Sequence, residues 1–440
     1  MAAPLALACV LTLSGCASFS PDDGMDKVST LSRERTGHGV VAQRSQADAD
    51  AAAARSAEIL KAPLTADTAV ELALLNNAGL QASLAELGIA EAELVQAGRL
   101  RNPVFGFGRL AGGGALEIDR SLMFDLLGLL SMPAATKVQQ QHFEQVQLEA
   151  AQATVNLATQ ARLAYFNALA AQELVSYFEQ VHDAADAAAE LARRMQKAGN
   201  FSALEQLREQ SFQADALAEL SRSRQAATAE RERLTRVLGL ASFTLPEHLP
   251  ELPAEPMAPQ AAEQTAIDRR LDVLAAKRRA EASAAALGLT RATRFVNVLE
   301  LGYQNRSERG ATSLAQGYEV SLELPLFDFG MARSVRAEAV YQQALHRTAE
   351  TALNAQSEVR EAHAGYLSAY TLARHYRNEV LPLKQRIADE TLLRYNGMLV
   401  GVFELLTDAR EQIRSVAASV QAQRDFWIAD TQLQAALGGR

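Results

Sequence analysis

The sequence predicts a mainly α-helical fold with a small β part, built as two similar halves that each carry a long helical hairpin. Three observations predict it. First, Ala134 to Ala198 is a run of 65 residues without Gly or Pro, dominated by Ala, Gln, Glu and Leu, all strong helix formers. As one helix it would be about 100 Å long, far beyond an ordinary globular element. Second, two short stretches alternate apolar and polar residues with a period of two, the signature of strands. Third, the chain repeats itself. Ala198-Gly199-Asn200-Phe201 through Arg208-Glu209-Gln210 matches Val400-Gly401-Val402-Phe403 through Arg410-Glu411-Gln412 at six of thirteen positions, at an offset of 202. Ser121-Leu122 to Leu126 likewise recurs as Ser321-Leu322 to Leu326. A period this long marks a duplicated architecture.

The elements follow in order. Leu5 to Leu13 is uncharged and apolar, like the core of a secretory signal. No Lys or Arg precedes it, a departure from the usual pattern. Leu13-Ser14-Gly15-Cys16 resembles a bacterial lipobox, in which Cys16 takes a diacylglycerol and becomes the mature N-terminus. Ala17, rather than Asp, then implies an outer-membrane address. Residues 1–15 are read as signal peptide and 16–62 as a lipidated, extended N-terminal segment. The first repeat spans 63–240. Thr65 suits the N-cap of a helix running to about Arg99. A β-hairpin at about 103–127 joins Val104–Leu110 to Leu116–Leu126 through Gly112-Gly113-Gly114. The long helix follows, breaks at Gly199-Asn200, and gives way to a helix from Ser202 to Leu238.

Residues 241–260 form a linker with five prolines between Leu245 and Pro259. The second repeat, 261–440, has a helix from Ala261 to Leu289 and a hairpin at about 294–327. There Phe295–Gln304 and Tyr318–Leu326 flank a polar loop, Asn305–Gln316. A long helix from Met331 to Leu393 should kink at Pro382. The last helix, Val402 to Leu437, spaces Leu406, Ile413, Val420 and Trp427 seven apart, the spacing of a coiled-coil seam.

Composition removes several function classes. The 440 residues carry a net charge of −9 and are 48% hydrophobic. Phosphate binding calls for clustered Lys and Arg, which this sequence lacks, so nucleic acid is not expected as a partner. Cys9 lies in the signal and Cys16 is the lipid site, leaving no Cys for a disulfide or a thiolate metal centre. The seven His residues are scattered, with no helical zinc spacing. No nucleophile elbow, Walker loop or acid–base carboxylate constellation is present. The chain is therefore read as no enzyme, with no cofactor and no metal site.

After Cys16 no apolar run reaches the roughly 18 residues of a membrane helix, so any membrane crossing must use strands. In a transmembrane barrel the apolar parity meets lipid and the polar parity meets water. Glu117, Asp119, Asp125, Glu300, Glu319 and Glu323 take the polar parity, predicting an acidic lumen that favours cations. Four strands cannot close a barrel and open edges are not tolerated in lipid, so several chains must share one barrel. Two half-buried hairpins on a soluble helical body would give the same alternation.

Several short pieces, in order and duplicated, resemble the TolC-type outer-membrane efflux protein family. They are Leu64-Thr65 through Asn76-Asn77, Gln96-Ala97-Gly98 to Asn102-Pro103, Leu324-Pro325-Leu326-Phe327-Asp328-Phe329-Gly330, and Arg394-Tyr395-Asn396-Gly397-Met398. The resemblance implies a homotrimer whose chains give four strands each to one β-barrel, continuous with an α-barrel of long helices. It implies a passive exit duct working with an inner-membrane pump and a periplasmic adaptor. The turns at 197–202 and 395–403 would form the periplasmic gate. Arg194, Gly199, Ser202, Arg394, Tyr395, Gly401, Glu404 and Asp408 lie there, and some are expected to link helices and touch the adaptor. Two alternatives remain open at this point: a periplasmic coiled-coil scaffolding lipoprotein, and an exit duct dedicated to heavy-metal cations.

Overall fold

The computed structural model describes residues 18–112, 115–257, 262–308 and 315–439. Cys16 and the signal segment lie outside the described residues, as do Gly113, Gly114 and part of the polar loop. Eleven α-helices and four strands are found among the described residues. They are α1 (Met25–Thr36), α2 (Gln46–Ile59), α3 (Ala66–Asn76), α4 (Ala78–Ala97), β1 (Val104–Gly112), β2 (Ala115–Asp125), α5 (Leu126–Lys197) and α6 (Ala203–Leu238). After the linker come α7 (Ala262–Arg269), α8 (Leu271–Ala292), β3 (Leu299–Glu308), β4 (Ala315–Leu322), α9 (Met331–His375), α10 (Leu381–Asn396) and α11 (Val402–Ala436).

Local chemistry sets the boundaries. Thr65 caps α3 in a reciprocal box with Thr68. The helix expected to continue to Arg99 breaks at Asn77, where ψ is 111°. The Asn77 side chain explains the break, because its Oδ1 accepts from Leu80 N–H (3.0 Å) and its amide donates to Val237 O (3.0 Å). The segment read as extended, 16–62, instead contains α1 and α2, the latter closed by a capping box of Ser45 and Asp48. Helix α5 starts at Leu126, before Pro133, because Asp125 caps it by accepting from Gly128 N–H at 2.7 Å. At Pro382 the helix continues, and the irregularity falls just upstream. Proline removes a helical donor and crowds the preceding turn, and a π-turn, Tyr376–Val380, absorbs the mismatch with Leu381 N–H bonding to Tyr376 O.

The strands form one antiparallel sheet in the order β1-β2-β3-β4. Two expectations need correction. The third strand is Leu299–Glu308, not Phe295–Gln304, because Arg306 is pulled into the sheet by Glu117 and Asp119 (2.7 Å each). The fourth ends at Leu322, so Leu324 and Leu326 lie beyond it. Glu323 N–H makes a last bond to Val298 O (3.2 Å), and Pro325 has no N–H to continue the ladder.

Two compact units are drawn from both halves of the sequence. One comprises the chain to Val28, Ser83–Ala151 and Leu271–Leu353; the other comprises Ser29–Ala82, Gln152–Arg270 and Asn354–Arg440. In the first, Ser20 N–H bonds to the buried Glu91 (2.6 Å) and Gly24 O accepts from Gln147 (3.2 Å), fastening the N-terminal segment.

The second unit has an aromatic core. Tyr165 and Phe166 of α5 meet edge to face (5.3 Å), and Phe166 stacks on Trp427 of α11 (5.4 Å). Phe426 touches Trp427 (5.0 Å) and then Tyr366 and Tyr370 of α9 (5.5 and 5.7 Å). Each such pair adds about 0.5–1.5 kcal/mol beyond area burial. The proline-rich linker is pinned across this row. Trp427 donates to Pro250 O (3.0 Å), Tyr370 to Ala254 O (2.8 Å), and Met257 N–H donates to the Tyr366 hydroxyl (2.9 Å).

Gly239 closes α6 with φ +69°, and a Cβ there would lie 2.6 Å from Asn76 O. Gly239→Ala should therefore destabilise the protein by more than about 1 kcal/mol. Gly365, inside α9 and facing open space, should accept Ala without loss, because Ala is the better helix former. Thermal melts followed by circular dichroism check both; equal melting temperatures for the two variants would refute this account.

Candidate functional site

The register assigns each strand residue to a face. Phe105, Phe107, Leu116, Ile118, Leu122, Phe124, Leu301, Tyr303, Tyr318, Val320 and Leu322 share one face, interrupted toward the loop end by Arg109, Arg120, Asn305, Ser307 and Gln316. Most are well exposed, Tyr318 at 84%, and Tyr303 meets Tyr318 edge to face at 6.1 Å. So large an uncovered apolar face marks an interaction surface.

The opposite face carries Glu117, Asp119, Asp125, Glu300 and Glu319, brought onto one side by the register. Glu323 does not join them. It follows the strand end, and its carboxylate accepts from Asn297 (3.2 Å). Asp125 is partly spent in capping α5 and in an ion pair with Arg101 (3.5 Å). Sequence reasoning missed two members of this face. Glu308 adds an acid, and Arg306 bridges Glu117 and Asp119. Both sat in the stretch read as loop. Their alternation with Gln304 was the available signal. Gln304 itself donates to Glu319.

The helix turns have a shared geometry. After α5, Gly199 is left-handed (φ +81°) and Asn200 N–H bonds to Met195 O (2.9 Å). After α10, Met398 is left-handed (φ +59°) and Leu399 N–H bonds to Arg394 O (2.8 Å). Both are Schellman-type C-caps. The turns thus correspond at an offset of 199, Lys197 to Asn396 and Ala203 to Val402, and not at the 202 of the sequence identities. Gly199 matches Met398, and Gly401 matches Ser202. Ser202 caps α6 in a box with Glu205, whose carboxyl these bonds hold below its ordinary range. Gly401 occupies the N-cap of α11 without a side-chain cap.

Few of the expected residues link helices. Arg194 pairs with Glu190 (2.7 Å) and Arg394 with Glu390 (3.1 Å), each within its own helix. Glu404 lies exposed in the first turn of α11, where a carboxylate suits the helix dipole. Tyr395 is half-buried, and its carbonyl accepts from Met398 N–H (2.9 Å). Only Asp408 joins two helices, accepting from the buried Thr391 hydroxyl of α10 at 2.5 Å.

The firmer link was missed. Arg410 of α11 donates to Glu209 of α6 at 2.9 Å, with Glu209 only 3% exposed, and the guanidinium stacks over Phe212 (4.4 Å). Nearby, Arg208 stacks over Phe403 (4.6 Å). Tyr177 of α5 donates to Ile413 O (3.3 Å), and burial pushes its hydroxyl up to about 12. Glu209 and Arg410 both lie in the repeated segment, and that coincidence was the signal available. Among the described residues no His, Cys, Asp and Glu cluster could hold a metal, and no helix is long and apolar enough to cross a membrane.

Breaking a buried ion pair from one side strands the other charge, a loss of about 3–5 kcal/mol when fully buried. Arg410→Ala should thus lower the melting temperature more than the double change Arg410→Met with Glu209→Met. A single variant as stable as the double would count against the pair.

No protein-family model matches the chain, and no curated protein matches it. Solved structures do. A membrane protein from Pseudomonas aeruginosa has 21% identity and a TM-score of 0.73 over 85% of this chain and 93% of its own. The outer-membrane channel OprN has 22% and 0.72 over 85% and 90%. CusC, described for its folding and transmembrane channel formation, has 17% and 0.71 over 85% and 92%. The chain therefore has the fold of the TolC-type outer-membrane channels.

Proposed function

We propose that this chain is the outer-membrane channel of a tripartite efflux or secretion system. Three copies would each give four strands to one closed barrel, satisfying the edges of β1 and β4 that a lone sheet leaves open. The observation that carries the reading is the two-faced sheet. Its strands are 9, 11, 10 and 8 residues long, close to the roughly 9–11 that cross a bilayer when tilted. One face is apolar and bare, and the other is acidic. The similarity to OprN and CusC supports the same role. Cys16 would anchor the chain by lipid, the long helices would extend into the periplasm, and an adaptor would dock at the turns. An inner-membrane pump would supply the energy and select the cargo.

Two experiments test this. Purified protein should migrate as a heat-modifiable trimer and open cation-selective pores in planar bilayers, because six acids outnumber Arg306 on the polar face. A soluble monomer after removal of the lipid would instead favour the coiled-coil scaffold, and an anion-preferring reversal potential would defeat the acidic lumen.

The turns would form a gate held by weak links. Asp408→Ala should raise single-channel conductance, because it frees α11 from Thr391. Arg394→Ala should change it less, since Arg394 bonds within its own helix. A hydrogen bond to a charged group contributes about 1.5–3 kcal/mol, a small enough hold for adaptor contact to release. Identical conductance of all three proteins would discard the gate assignment.

A further inference from the structure

The antiparallel register brings the start of β1, the end of β2, the start of β3 and the end of β4 to one end of the sheet. The chain segments at that end, 99–103, 125–131, 289–298 and 323–338, hold six arginines and four carboxylates. The arginines are Arg99, Arg101, Arg291, Arg294, Arg333 and Arg336, all exposed. At the other end the described strand termini hold two of each sign: Arg109 and Arg306 with Glu117 and Glu308. The sheet is thus electrostatically lopsided along its strands.

The four carboxylates do not cancel the six cations evenly. Asp125 takes Arg101 (3.5 Å) and Glu338 takes Arg291 (2.5 Å). Asp328 is spent on Gly330 N–H (2.8 Å), and Glu323 accepts from Asn297 (3.2 Å). Arg294 and Arg333 lie together: Arg333 donates to Arg294 O (3.4 Å) and to the Asn297 side chain. Arg294 also lies over the ring of Phe295 at 4.1 Å. Arg336 follows in the first turns of α9. Beside this group Phe327 is fully exposed, and Phe295 and Leu326 are more than half exposed. Cations beside uncovered aromatic and aliphatic groups, at the end of a lipid-facing strand, match the chemistry of a phosphate headgroup above its acyl chains.

We propose that this arginine collar binds anionic phospholipid at the periplasmic leaflet. Arg294, Arg333 and Arg336 hold the phosphodiester, and Phe295 and Phe327 lie among the first acyl carbons. The inference rests on the channel reading, which turns this helical end of the sheet toward the periplasm. Charge complementarity selects the anionic lipid, because zwitterionic phosphatidylethanolamine brings its own ammonium to the same arginines.

Native mass spectrometry of the full-length, detergent-solubilised protein tests it, with cardiolipin and phosphatidylethanolamine as competing probes. Wild type should retain cardiolipin in excess, and the triple variant Arg294→Gln, Arg333→Gln, Arg336→Gln should cut that excess about tenfold. Arg193→Gln with Arg194→Gln, at the far turn, should leave it unchanged. Equal retention of the two lipids by wild type overturns the proposal. So does an equal loss in the far-turn variant, or full displacement by inorganic phosphate, which would make the site a small-anion pocket. Conductance in planar bilayers separates the two failures. A conducting wild type without lipid preference sinks the collar alone, whereas a non-conducting one sinks the channel.

Discussion

The contact on which the second unit depends is the aromatic row from Tyr165 and Phe166, through Trp427 and Phe426, to Tyr366 and Tyr370. Long Ala-rich helices bury little apolar area per residue, because each methyl offers so little surface. Phe166, Phe426 and Tyr366 are almost wholly buried and supply what alanine cannot. The tyrosine and tryptophan polar atoms then fix the linker, which would otherwise be a free strand of carbonyls. One cluster thus joins α5, α9 and α11 and seats the connection between the two sequence halves.

The sheet works on a different constraint. It has almost nothing to bury internally, and its faces differ in what they tolerate. Phe105 and Tyr318 need a nonaqueous neighbour, while Glu117 and Glu300 need water or counterions. In the proposed channel, lipid on one side and water on the other would meet both needs at once.

Much of this was legible in the sequence, and the reasons differ by element. The long helices are visible because Gly and Pro are absent over many turns, and tertiary context does not overrule so strong a bias. The face of Glu300 was legible because parity survives a shift of two or four residues at the strand end. Strand limits were not, because Arg306 and Glu308 look like loop residues until a partner strand places Asp119 beside them. The break at Asn77 was hidden for a similar reason, since its side chain answers to Val237, far along the chain. The repeat has two offsets, one in its identical residues and one in its helix caps. Identical residues at 202 reflect like side chains, whereas the caps at 199 reflect like backbone. At the turns, charge drew attention to Arg194 and Arg394, which satisfy themselves one helical turn away. The pair that spans two helices, Glu209 and Arg410, is distinguished by burial, and burial at a helix interface is not written in a single chain's periodicity.

The aromatic row also has a consequence in time. Trp427 and Phe426 lie in the last helix, so a chain synthesised N-terminus first cannot assemble the cluster until nearly all of it has emerged. Until then Phe166 and Tyr165 have no cover, and neither does the linker they help to seat. Contacts this distant in sequence are slow to form, and chains waiting with bare apolar edges aggregate. The aromatic row is therefore a late-closing core: it completes only when the final helix is in place.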